Sequence, residues 1–225
     1  RTDTQFVTAA IGLDGGVGEM AVDPRRRLLY MVNRLRRSLQ VLDLATHSLV
    51  DRIPLPLTLE PAHLALDVAG NRAFVSDPLS RLVVQIDLES GQMIAHQQVG
   101  LQPGRLVYIE QEEGVNLVAV CLPRTQQVVL MDADTLQVQL KLETGLQPKH
   151  LLFADEQLYV AAAGSRTVTL YSLPNGRQVG QVRVSGLPGE LLVSSTADKI
   201  YVSLTQPASL AVLGMGQFAT LSSLS

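Results

Sequence analysis

An all-β β-propeller of four-stranded antiparallel blades, with five blade repeats visible, is the fold class that three observations on this 225-residue chain predict. Its apolar residues come in runs of four to six with partial alternation. Turn signals such as Asp23-Pro24-Arg25, Ala69-Gly70-Asn71, Glu89-Ser90-Gly91 and Pro174-Asn175-Gly176 cut those runs, and no helical period survives beyond a turn, so short strands are expected. The chain also repeats itself every 40 to 45 residues in three independent registers. That length suits one propeller blade; leucine-rich repeats are shorter, and helical repeats need amphipathic helices that are missing here.

The innermost strand of each unit is read from GGVGEMAVD (15–23), EPAHLALD (60–67), QPGRLVYI (102–109), QPKHLLFA (147–154) and LPGELLVS (187–194). These align Glu19, His63, Arg105, His150 and Glu190 at spacings of 44, 42, 45 and 40. The second strand follows from LYMVN, AFVSD, LVAVC, LYVAA and IYVSL, aligning Tyr30, Phe74, Val118, Tyr159 and Tyr201; shared aromatics there read as packing between blades. In the third strand Asp43, Asp87 and Asp132 recur, matched by Ser172 and Gly214, and a carboxylate there is expected to accept hydrogen bonds from turn amides. The fourth strands at 93–99, 138–144 and 179–185 each lead into Gly-Leu.

One domain over 1–225 is expected, with blades at about 13–58, 59–100, 101–145, 146–186 and 187–225. The stretch 4–11 also precedes Gly-Leu and reads as the outer strand of a closing or preceding blade, yet 218–224 reads as the fifth unit's own fourth strand. Two readings stand. Either 4–11 closes a five-bladed ring, or the five units belong to a larger propeller of six to eight blades.

Charge narrows the partners. With 18 basic against 21 acidic residues and a net charge of −3, the chain lacks the basic footprint of a nucleic-acid binder. No apolar stretch is long enough for a transmembrane helix. The single Cys121 forms no internal disulfide and reads as a small buried apolar residue. The chain starts without a methionine or a signal peptide, as a processed chain or part of a longer protein does.

Because the first strand lines the channel, Glu19, His63, Arg105, His150 and Glu190 are expected at one channel mouth as a ligand-binding register. Two histidines and two carboxylates are ligand types for zinc or non-haem iron, so a metal is the one cofactor this register could hold; Arg105 counts against a cation, and none is predicted. The competing reading is a solvated, mutually paired lining. A second register, Arg37, Arg81 and Arg166, stands six residues before the third-strand Asp or Ser, with Arg124 two residues out of step. It places guanidinium groups on the mouth face, where they would bind an anionic or protein partner. The run Arg25-Arg26-Arg27 and Arg34, Arg36, Arg37 is divided by the fold between opposite ends of a blade and reads as solvated turns.

The blade pattern of a Pro-containing turn, a short apolar strand, Tyr-Val-Ser or Tyr-Met-Val-Asn, and then apolar-x-apolar-x-Asp resembles the YVTN repeats of YncE-like and surface-layer propellers, relatives of lactonase-type propellers. The resemblance covers about 13–225, while the arginines stand where that family often has asparagine. It implies an extracytoplasmic, periplasmic or cell-surface bacterial or archaeal protein. Regular blades without a catalytic motif favour a non-enzymatic binding or scaffold protein, or a subunit of a larger assembly. The alternative is a lactonase-like or dehydrogenase-like enzyme holding a metal or small acid at the channel mouth.

Overall fold

Side chains that bind their own turns end several of the strands. Asp23 Oδ1 accepts from the amides of Arg25 and Arg26 at 2.9 and 3.0 Å, and Asp43 Oδ1 accepts from Ala45 and Thr46 at 2.7 and 2.8 Å. Asp77, Asp87 and Asp132 repeat the arrangement with Leu79 and Ser80, with Ser90, and with Asp134 and Thr135. A short carboxylate that satisfies turn amides offers the backbone an alternative to continuing the strand. The repeated third-strand aspartates are therefore turn caps, as the sequence indicated.

The computed structural model describes residues 10–56, 59–112, 114–194, 198–215 and 220–224. These form twenty strands and no helix, so no helix among the described residues is long and apolar enough to cross a membrane. Blade 1 holds β1 (Val17–Asp23), β2 (Leu28–Asn33), β3 (Ser38–Asp43) and β4 (Ser48–Pro54), and blade 2 holds β5 (His63–Asp67), β6 (Arg72–Asp77), β7 (Leu82–Asp87) and β8 (Met93–Gln98). Blade 3 holds β9 (Leu106–Ile109), β10 (Leu117–Leu122), β11 (Gln127–Asp132) and β12 (Val138–Glu143). Blade 4 holds β13 (Pro148–Ala154), β14 (Gln157–Ala162), β15 (Thr167–Ser172) and β16 (Arg177–Arg183). Blade 5 holds β17 (Leu187–Ser194), β18 (Lys199–Thr205), β19 (Ser209–Gly214) and β20 (Thr220–Leu224).

Every sheet is an antiparallel meander in chain order, and the five are arranged as the blades of a β-propeller. Residues 4–9 of the expected outer strand 4–11 lie outside the described residues. Each third–fourth strand pair shifts register at the same place, at Val41/Leu42, Gln85/Ile86, Leu130/Met131, Leu170/Tyr171 and Val212/Leu213. Such bulges bend and twist the outermost strand, which carries the sheet's unpaired edge.

Four apolar cores lie between consecutive blades. Tyr30, Val32 and Leu39 of blade 1 meet Ala73 and Val75 of blade 2; Phe74 of blade 2 meets Val118 and Val120 of blade 3. Ala119 and Leu130 of blade 3 meet Leu151 and Leu158 of blade 4, and Tyr159 of blade 4 meets Leu191 and Val202 of blade 5. One register expectation is corrected here. Tyr30, Phe74, Tyr159 and Tyr201 pair with Val41, Gln85, Leu170 and Val212, each two residues before the turn-capping position, and in blade 3 that place belongs to Ala119 opposite Leu130. Val118 therefore faces blade 2, because a one-residue offset turns a strand side chain to the other face. Tyr108 stacks on Phe74 at 6.1 Å between ring centroids in that same junction.

Candidate functional site

The inner strands bring all five aligned polar residues to one channel mouth. Glu19, His63, Arg105, His150 and Glu190 each stand two residues before the inner-strand partner of the register shared by Tyr30, Phe74, Ala119, Tyr159 and Tyr201. Glu19 Oε2 lies 3.0 Å from His63 Nδ1 and accepts from the Leu64 amide at 3.0 Å, so it stitches blade 1 to blade 2. Arg105 spans the opening from blade 3. Its Nε lies 2.9 Å from Glu19 Oε1 and its Nη1 3.0 Å from Glu190 Oε1. Glu190 Oε2 in turn lies 2.5 Å from His150 Nε2. The result is a charge-alternating string, His63–Glu19–Arg105–Glu190–His150.

Its electrostatics follow from the contacts. Burial pushes the Glu19 carboxyl up, but His63, the Arg105 guanidinium and the Leu64 amide outweigh it and hold the group below its ordinary value. His150 is held below the usual histidine value, first by burial and next by Arg105, against the pull of Glu190. Its Nδ1 accepts from the Leu191 amide at 3.2 Å, which requires that nitrogen to be unprotonated and agrees with a neutral ring. Both carboxylates of the string already face a guanidinium, and no three metal-ligating side chains converge among the described residues.

The arginine register has a backbone cause. Arg37, Arg81 and Arg166 close their turns with φ of 47°, 64° and 56°, in the left-handed region, where asparagine is at home and where long side chains occur only when the turn imposes it. Their carbonyls accept from Leu55, Val99 and Val184, which locks each fourth-strand exit to the same turn. In blade 3 that role falls to Gln126, with φ of 59° and Thr144 as its donor. Arg124 is thus outside the register, at an earlier turn position, where its Nε donates to Gln102 Oε1 at 2.7 Å.

The sequence reading missed the apolar part of this face. Leu35, Leu79, Leu101 and Leu146 sit on the second-to-third strand turns and on the exits to the next blade, and are 75, 69, 43 and 49% exposed. They stand among exposed Arg34, Arg36, Arg81, Arg124 and Arg166. A 460 Å³ depression between blades 1 and 2, lined by Arg34, Leu35, Arg37 and Glu60, belongs to the same face. In one dimension each leucine looked like the fringe of a strand run; only the turn geometry turns it outward.

No protein-family model matches the chain, and no curated protein does. Solved structures match over nearly its whole length. A chain of hydrazine synthase from Kuenenia stuttgartiensis aligns at 15% identity with a TM-score of 0.75, over 93% of this chain and 66% of that one. A chain of a mitotic checkpoint complex aligns at 11% identity with a TM-score of 0.79, over 92% of this chain and 64% of that one. The likeness is one of fold, and this chain spans about two thirds of either neighbour.

Proposed function

We propose that this propeller is a non-enzymatic binding module that docks an acidic protein partner on its channel-mouth face. The observation that carries the reading is the interleaving of four exposed leucines with exposed arginines on the connections of one face. Apolar side chains left in water amid guanidinium groups supply the desolvated centre and the cationic rim that a protein interface uses. The resemblance of the fold to a chain of a multi-protein assembly supports a role through partners. The ionic string at the mouth acts in this reading as a clasp, since each of its members is already engaged within the string.

The test is cross-linking and affinity capture from the source organism with three forms of the protein. The parent and a Val50→Ser variant on the outer strand should retain the same stoichiometric partner, and a Leu35→Ser, Leu79→Ser, Arg81→Glu variant should lose it. Equal capture by all three would sink the reading. The lactonase-like or dehydrogenase-like alternative is supported instead if turnover is found that disappears in folded His63→Ala and His150→Ala.

A further inference from the structure

The opposite face of the propeller carries a second, differently built depression at the junction of blades 3 and 4. The β1–β2 and β5–β6 connections take four residues each, whereas β9–β10 takes seven (110–116) and the neighbouring β13–β14 only two (155–156). The longest and the shortest of these turns thus stand side by side and leave space between them. One compartment, of about 520 Å³, is walled by Glu110, Glu112, Glu156 and Phe153. A second, of about 370 Å³, is walled chiefly by Val115, Leu117, Leu130 and Leu140. Gln111 and Pro174 line both, so the two adjoin.

Asn116 Oδ1 accepts from the Gln111 amide at 3.0 Å, and the Asn116 carbonyl accepts from Ala133 at 2.8 Å, which fixes the long connection at both ends. Asp155 and Glu156 both adopt positive φ, 48° and 55°, to make the two-residue turn that holds Glu156 at the rim. None of Glu110, Glu112 and Glu156 forms an ion pair with a described cation, although the chain has many cations elsewhere.

We propose that this groove docks a segment of a partner protein that presents a lysine or arginine side chain close to an aliphatic one. Three unpaired carboxylates favour a cation, Phe153 offers an aromatic wall to its methylene stem, and the adjoining compartment accepts an aliphatic side chain out of water. A chain binding here meets the acidic side of the molecule, so this partner differs in charge from the acidic one proposed for the mouth face.

Fluorescence polarisation with labelled twelve-residue peptides tests it, each carrying one arginine and one leucine separated by one to four glycine or serine residues. At least one spacing should bind saturably, and affinity should drop about ten-fold or more in Glu110→Gln, Glu112→Gln, Glu156→Gln, and several-fold in Val115→Asp. The same peptide should bind Arg81→Glu unchanged, which separates this groove from the mouth face. Absence of binding at every spacing, equal binding by a peptide with leucine replaced by glycine, or unchanged binding by the triple variant would each overturn the proposal. All five substituted residues are at the surface, and a melting curve matching the parent's shows that a loss is local.

Discussion

At the scale of single residues, buried His150 and half-buried Glu19 of the mouth string set opposite ends of a pH response. His150 is neutral and accepts the Leu191 amide in the folded state, so the unfolded chain takes up its proton first. Stability should therefore be whole above the ordinary histidine value of 6.5 and fall as pH drops below it. Melting temperature followed from pH 7.5 to 5 checks this, and His150→Asn should flatten the slope. Glu19 titrates lower. Its stabilisation is full above the ordinary 4.5 and is lost as pH falls through its depressed value, and Glu19→Gln should cost about 2 kcal/mol at pH 7 in urea unfolding. That these five residues meet was legible, because a period of about 43 residues projects one register onto one mouth. How they pair was not, since Arg105 crossing to Glu19 and Glu190 depends on channel width, which no local motif encodes.

The left-handed φ at Arg166 means that Arg166→Asn should leave stability within about 0.5 kcal/mol, whereas Arg166→Val should cost about 1 to 3 kcal/mol, read by urea titration of both. The same arginines looked like a binding register in sequence; their spacing is a turn property first, and Gln126 in place of Arg124 shows it. Gly176, with φ of 67°, packs so closely that a Cβ would sit 2.2 Å from Leu140 Cδ2 and 2.6 Å from Leu142 Cδ2. Gly176→Ala should therefore cost about 1 to 3 kcal/mol in the same assay. Strand order and the aspartate caps were readable because short strands and turn chemistry are local. The Val118 offset was not, because the seven-residue connection of blade 3 hides which of two alternating residues faces which neighbour.

Across the whole molecule, the antiparallel meander sorts the turns onto two faces, and the two differ in chemistry. The mouth face shows leucine and arginine, while the other gathers the capping Asp23, Asp43, Asp87 and Asp132 with Glu89, Glu110, Glu112, Asp134 and Glu156, beside Arg25, Arg26 and Arg27. One residue ties that acidic face across a junction. Arg72 holds Asp67 at 2.7 Å and Asp134 at 2.6 Å while its guanidinium lies 5.9 Å from the Phe74 ring centroid, binding blade 2 to blade 3. A net charge of −3 averages this polarity away, which is why composition alone gave no sign of two distinct surfaces.

The four interblade cores also govern how the molecule comes apart. Each couples only consecutive blades, so the apolar part of the free energy is written as a string of nearest-neighbour terms, as in a one-dimensional lattice, to which Arg105 adds its ion pairs from blade 3 to blades 1 and 5. Damage at one junction should then stay there. Leu39→Ala, in the core between blades 1 and 2, should speed amide hydrogen exchange in β1 to β8 while β13 to β19 keep their protection, and a uniform loss would instead mark a single cooperative unit.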